Sequence, residues 1–178
     1  MTLQLYVDIV FIVIFSTGLY WLFGLIRALG SDAPYVPMKQ EIVERMVALA
    51  HAENGGTWFD LGSGDGRVLI AASRRYPVSG IGIERVQALR WYSRILIFFG
   101  GLTSRIRIRK ADLFATDVSS ASVVSFYLLP VGIEKLIPKL RRELKPGARI
   151  LTHRFPLLGV AADLIDEEYK IYRATVPF

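Results

Sequence analysis

Apolar and polar positions change rhythm several times along the chain, and each rhythm predicts an element. Ile9 to Ile26 runs for 18 residues without a formal charge, and the apolar stretch begins near Leu3. At about 1.5 Å per residue this approaches the ~30 Å of a bilayer's hydrocarbon, so residues 3–27 are expected to form one transmembrane helix. The stretch has no polar stripe of the kind a surface helix carries, and Met1 to Tyr6 lacks the basic residues that open a signal peptide. Ala28 to Pro37 holds Gly30, Pro34 and Pro37 and reads as a stiff linker.

From residue 38 onward the periods of helix and strand alternate. Gln40 to Ala50 places Ile42, Val43, Met46, Val47 and Leu49 at helical spacing. Thr57 to Leu61 is a short apolar run between Asn54-Gly55-Gly56 and a glycine cluster, the pattern of a buried parallel strand ending in a tight turn. A helix is expected after Gly66, a strand over Val78 to Ile83 and a helix over Val86 to Phe99. Arg105 to Arg109 alternates strictly, a half-buried strand whose arginines share one face and either protect a sheet edge or meet lipid headgroups. A strand over Ala121 to Leu129, a helix over Ile133 to Leu144, a strand over Ala148 to His153 and a hairpin over Gly159 to Val176 complete the series. The alternation implies an α/β sandwich with a mostly parallel sheet in residues 38–178.

Composition narrows the picture a little. At 178 residues one main domain is expected, and the apolar content of 52 % owes much to the first 27 residues. Cysteine is absent and His51 and His153 are the only histidines, so disulfides and thiolate sites are excluded and no metal is expected. A net charge of +6 permits nucleic acid, anionic lipid or an acidic partner without choosing among them. No basic residue precedes the apolar helix, whereas Arg27, Lys39 and Arg45 follow it. The positive-inside rule then makes the chain a single-pass membrane protein with its larger domain in the cytoplasm.

The candidate chemistry lies at the strand ends. After the first strand stands Asp60-Leu-Gly62-Ser-Gly64-Asp-Gly66-Arg67. A dinucleotide fingerprint would put its third glycine where Arg67 stands, and a carboxylate at position 60 would repel a pyrophosphate. It suits an ammonium instead. In class I S-adenosylmethionine (SAM) methyltransferases such a run holds the amino-acid end of the cofactor; the plain alternative is a structural glycine turn. Glu84 closes the second strand about twenty residues after the loop, where a parallel sheet offers a carboxylate to ribose hydroxyls. Asp60, Glu84, Asp112 and Tyr127 all fall at or near carboxyl ends of predicted strands, the rim on which such sheets bind ligands. A serine nucleophile is rejected, because Ser63 lacks glycines at the flanking positions, which are Leu61 and Asp65.

Taken together, Pro34-Tyr-Val-Pro37, Asp60 to Arg67, Gly82-Ile-Glu84, Asp112-Leu-Phe114, Tyr127-Leu-Leu-Pro130, Leu144-Lys-Pro-Gly147 and His153-x-Phe155 resemble the small seven-strand protein-lysine methyltransferases. These include archaeal lysine methyltransferases and the mitochondrial enzymes that modify the ATP synthase c-subunit or the ADP/ATP translocase. The resemblance covers residue 34 to the end. It implies a Rossmann-like, seven-stranded class I methyltransferase sandwich, here preceded by one transmembrane helix. It assigns Asp60, Gly62, Gly64 and Gly66 to the methionine moiety of SAM, Glu84 to the ribose and Asp112 with Leu113 to the adenine. Tyr35 and Tyr127 would line the cofactor and lysine channel. The chain departs from the family at Met38-Lys39, where a Thr-Pro pair is usual.

The chemistry so implied is in-line transfer of a methyl group to a lysine ε-amine, with Tyr127 orienting the amine. It needs a neutral amine, which costs about 4–5 kcal/mol at pH 7 for a pKa of ~10.4. An apolar rim such as Tyr127 to Pro130 lowers that cost. The rim lacks the Asn/Asp-Pro-Pro-aromatic motif that holds planar nitrogens in other methyltransferases, so no nucleic acid is expected as substrate. The expected partners are a protein substrate, in particular a membrane protein, and membrane lipid around the N-terminal helix. Methylation of a lipid or quinone, and a SAM-binding protein without turnover, remain as alternative readings.

Overall fold

The computed structural model describes residues 3–29 and 36–178. The first element, α1 (Leu3–Leu29), is one unbroken helix whose described side chains up to Phe23 are all exposed. Ser16 and Thr17 donate back to the Val13 carbonyl at 3.1 and 2.7 Å, so these two hydroxyls are satisfied within the helix. The expected linker began two residues too early, since Ala28 and Leu29 are still helical. Neither Ala28 nor Leu29 breaks a helix, so the sequence gives no cause for it to end before them.

After Val36 the chain enters α2 (Gln40–Leu49) and then alternates through β1 (Gly56–Leu61), α3 (Arg67–Arg75), β2 (Val78–Ile83), α4 (Gln87–Phe99), β3 (Ile106–Arg109), β4 (Ala121–Phe126), α5 (Pro130–Glu143), β5 (Arg149–His153), β6 (Leu164–Asp166) and β7 (Ile171–Thr175). The strands form one seven-stranded sheet in the order β3-β2-β1-β4-β5-β7-β6. Its first five strands are parallel. β7 inserts antiparallel between β5 and β6, so the expected hairpin closes the sheet. The expectation for 121–129 is corrected, because β4 stops at Phe126 and α5 begins at Pro130 rather than Ile133. Proline has no N–H to lose at a helix start, and it holds the residue before it extended. Tyr127 to Leu129 therefore becomes a rim between strand and helix. The arginine strand lies at the sheet edge, with Ile106 and Ile108 inward and Arg107 and Arg109 outward.

Two cores flank the sheet. On one face α2, α3 and α4 bury Met46, Leu69 and Ile97 against Trp58, Val123 and Leu151. On the other, α5 buries Ile133, Leu136 and Leu140 against Leu61, Val124 and Phe126. Neither core uses a described residue of α1, which touches the domain along α4. The Trp21 and Tyr92 rings meet edge to face with centroids 6.3 Å apart. One turn on, Gly24 lies so near Ala88 that an added Cβ would stand 3.3 Å from the alanine's.

Leu140→Ala is expected to lower the unfolding free energy by about 2–5 kcal/mol in a urea titration, through lost transfer energy and a residual cavity. Phe99→Ala, at a side chain 82 % exposed, is expected to change it by no more than ~0.5 kcal/mol.

Candidate functional site

The sheet reverses its strand order between β1 and β4, and a cleft opens there at the carboxyl ends of β1, β2 and β4. It is about 1110 Å³, counting the part open to solvent. Asp60, Gly62, Gly64, Glu84, Asp112, Leu113 and Tyr127 all line it. Gly66 does not. It sits at φ 79° as the N-cap of α3, and a Cβ there would point at Ser93, Ile97 and Ile108, so its place is the turn and the packing against α4. Tyr35 lies outside the described residues.

Asp60 is the penultimate residue of β1 and is buried. Opposite it in the β1–β4 register stands Ser125, whose Oγ donates to Asp60 Oδ1 at 2.7 Å. Trp58 Nε1 donates in turn to that Oγ at 2.8 Å. This relay fixes the carboxylate but brings it no charge, and no arginine or lysine pairs with it among the described residues. Burial raises the Asp60 pKa to about 7, with the Asp65 and Glu84 carboxylates adding to the shift and the Ser125 hydrogen bond opposing it.

The two neighbouring carboxylates are compensated differently. Glu84, just past β2, accepts from Gly64 N–H at 2.9 Å and from Val86 N–H at 2.7 Å. Burial raises its pKa, and these backbone bonds hold it back. A carboxylate has about four acceptor positions, so two remain. Asp65 is buried against Arg67, whose Nε lies 2.9 and 3.0 Å from its two oxygens. The same guanidinium donates to the Met38 carbonyl, which pins the chain before α2 onto the glycine loop. That loop folds back on β2 as well, with Gly62 and Ser63 N–H both donating to the Ile83 carbonyl.

The other wall is softer. Asp112 is exposed and accepts from Phe114 N–H at 2.8 Å, so it shapes the 112–116 turn beside Leu113. Val86 and Leu89 add apolar surface from the start of α4. Tyr127 is half-buried, and its ring meets His153 edge to face at 4.9 Å. Burial lowers the His153 pKa, which keeps this neighbour neutral. No group of three acidic or histidine side chains is disposed to hold a metal ion among the described residues.

Sequence reasoning missed Ser125, Trp58 and Arg67. Ser125 had a signal, as a hydroxyl near the end of the apolar run from Ala121 to Phe126. The Arg67–Met38 bond had none, because the two residues are 29 apart in sequence.

Two buried carboxylates with acceptor capacity left beside the apolar surface of Leu113, Val86 and Leu89 could hold a ligand that carries an ammonium, hydroxyls and a flat apolar part.

The raised Asp60 pKa also fixes a pH dependence of the protein alone. The folded state holds a proton that the unfolded state releases near pH 3.8, so stability falls as pH rises from about 4 through about 7. The loss is on the order of 4 kcal/mol at full shift, at 1.36 kcal/mol per unit. Asp60→Asn is expected to flatten this slope and raise the melting temperature at pH 8. Parallel melting curves of variant and parent from pH 5 to 8 would contradict it.

Comparison with known proteins agrees with this chemistry. Residues 60–163 match the family described as the ANTKMT methyltransferase domain. The chain is 38 % identical over 127 residues to a protein-lysine N-methyltransferase of Saccharolobus islandicus, covering 71 % of this chain and 79 % of that protein. It is 33 % identical over 123 residues to the human lysine N-methyltransferase named for the ATP synthase c-subunit, covering 69 % of this chain and only about half, 52 %, of the human protein. A crystal structure of an RNA methyltransferase from Salinibacter ruber with S-adenosyl-L-homocysteine superposes with a TM-score of 0.76 at 39 % identity, covering 80 % of this chain and 94 % of that one. With the cleft at the strand reversal and the family match over its rim, the chain belongs to the ANTKMT methyltransferase-domain family and is a SAM-dependent methyltransferase.

Proposed function

We propose that this enzyme methylates the ε-amine of a protein lysine, on a membrane protein close to its cytoplasmic boundary. The observation that carries the reading is the set of three buried carboxylates in the cleft, of which Asp60 alone lacks a cationic or backbone partner. Bound SAM would supply an electrophilic methyl group on a sulfonium. Asp60 receives the ammonium of the methionine moiety, and Gly62 and Gly64 let the backbone come close to it. Glu84 takes the ribose hydroxyls, and Asp112 with Leu113 borders the adenine. Gly66 serves by shaping the loop, and Tyr35, outside the described residues, is assigned to the channel by the family resemblance alone.

Tyr127 is the catalytic residue in this reading. Its ring, held by His153, presents the phenol to the incoming amine, while Leu128 and Leu129 keep the rim apolar. An apolar rim disfavours the ammonium form of lysine, and so reduces the cost of obtaining the neutral nucleophile. The protein orients the amine and leaves its proton to water.

Residues 3–27 are read as a single membrane span whose helix continues to Leu29, 30–37 as the linker and 38–178 as the catalytic domain. The 21 residues from Gln4 to Gly24 have a mean hydropathy of 1.9 and none of the most apolar stretch is buried against the protein. The basic residues that follow put the domain on the cytoplasmic side. The substrates for which the relatives are named differ, since two are protein lysines and one is RNA. The lysine reading is favoured by the apolar Tyr127 to Pro130 rim.

Three outcomes test this function. Glu84→Gln keeps an acceptor for one of its two backbone donors, which bind different oxygens, and is expected to weaken SAM binding by about 1–3 kcal/mol in calorimetry. Affinity for SAM is expected to rise with pH across the Asp60 pKa of about 7, because only the carboxylate attracts an ammonium, and to lose that dependence in Asp60→Asn. Membranes incubated with the enzyme and radiolabelled SAM should carry the label on lysine of a membrane protein. Deleting residues 1–30 should abolish that labelling and spare methylation of a soluble lysine-rich protein. Label found only in extracted lipid or RNA would overturn the lysine assignment.

A further inference from the structure

One surface of the domain is not used by the site. Along α4, Trp91, Tyr92, Ile95, Phe98 and Phe99 recur on the side away from the core, and their exposures are 55, 42, 47, 68 and 82 %. The core takes Ala88, Arg90, Ser93 and Ile97 of this helix, so packing against the sheet does not explain the stripe. Phe98 and Phe99 sit edge to face at its tip, where Gly100-Gly101 turns the chain away.

The contacts with α1 give the stripe a direction. Trp21 meets Tyr92, and one turn further along α1, Gly24 meets Ala88, one turn back along α4. The two helices therefore run in opposite senses where they touch. As α1 leads out of its apolar stretch, α4 reads back toward the cleft, where Val86 and Leu89 form part of the wall. Read the other way, the exposed end of α4 points along α1 toward its N-terminus. From Tyr92 to Phe99 is seven residues, so the tip reaches at most ~10 Å beyond the Trp21 level. Tyr20, Trp21, Trp91 and Tyr92 then share one level, with Ile95, Phe98 and Phe99 on the apolar side of it. That is the order of an interfacial belt followed by acyl chain.

Charge selects the kind of surface. From Arg85 to Ala111 the sequence has seven arginines and lysines and no aspartate or glutamate. Arg94, Arg107, Arg109 and Lys110 are exposed on α4 and on the edge strand packed beside it. Arg94 donates to the Ile108 carbonyl and the Glu84 N–H to that of Arg109, so these cations lie between the aromatic tip and the cleft end of α4, the level at which anionic headgroups would stand.

We propose that α4 is a second membrane element, lying in the interface of an anionic leaflet beside α1 with Phe98 and Phe99 inserted among the acyl chains. The proposal rests on reading α1 as a membrane span. It gives the arginines of β3 a lipid partner and sets the cleft, at the opposite end of the same helix, about 15 Å from the inserted tip. A lysine within reach of Tyr127 then lies just outside the headgroups.

The absence of cysteine allows single labels in the full chain. A fluorophore sensitive to polarity is attached at Phe99→Cys, and in separate samples at Ile12→Cys and Glu134→Cys, with the protein reconstituted in vesicles of phosphatidylcholine and phosphatidylglycerol. Nitroxide lipids labelled near the headgroup end of the acyl chain are expected to quench position 99. Lipids labelled deep in the chain should quench position 12, and position 134 should stay aqueous. Quenching at 99 is expected to weaken in vesicles of phosphatidylcholine alone. Quenching at 12 with an aqueous signal at 99 overturns the α4 proposal and leaves the anchor standing. No quenching at either position removes the anchor and the proposal with it. A label at 99 shielded from aqueous iodide but untouched by nitroxide lipids would put a second copy of the chain on this face, and would also overturn it.

Discussion

Three carboxylates, Asp60, Asp65 and Glu84, converge where β1 and β2 end, and the cleft is built by the means of compensating each. Burying like charges together is costly unless every one finds a partner. Asp65 has Arg67, and through it the chain before α2 is drawn down over the loop. Glu84 has the N–H groups of Gly64 and Val86, so the glycine loop and the start of α4 are tied to one side chain. Asp60 has a hydroxyl and, near neutrality, a proton. The imbalance leaves Asp60 the one of the three open to a cation.

The same construction explains why both ends of α4 matter. Its first turn is fixed by Glu84 and presents Val86 and Leu89 to the cleft, while its last turn carries the most exposed apolar side chains of the described domain. A rigid helix of 13 residues joins a ligand wall to a surface in search of cover. On the other side, Pro130 cuts β4 short and leaves Tyr127 to Leu129 as a rim, and β5 brings His153 against the tyrosine ring. Rim and wall are thus set by unrelated local rules, a proline and a capped carboxylate.

Much of this could be read from the residues. The alternation after residue 38, the glycine run and the acid closing β2 each have a local pattern with one physical cause, and the sheet places them as their spacing requires. Element ends were less legible where two rules compete. The apolar run through Leu129 reads as strand, but Pro130 decides it; Ala28 and Leu29 read as linker, but nothing stops the helix before Gly30. Gly66 shows that a motif position need not face the ligand. The Trp58–Ser125–Asp60 relay and the Arg67–Met38 clasp were not legible, because each joins residues far apart in sequence that only the folded sheet brings together. The exposed face of α4 was hidden for another reason. Its apolar residues fit a core helix equally well, and only the packing shows which of them the core leaves out.

If α1 spans a membrane and the substrate is a lysine there, as proposed above, the meeting of Trp21 with Tyr92 and of Gly24 with Ala88 has a kinetic consequence. A domain on a free leash tumbles, and its mouth samples every direction before a target is found. A domain clasped to the last turns of its own membrane helix keeps one attitude to the bilayer. Its only rapid search motions are drift in the plane and spin about the normal. Encounter becomes a two-dimensional problem in which height is already solved, and a target lysine a few residues too high or too low on its own helix would pass the mouth without entering it.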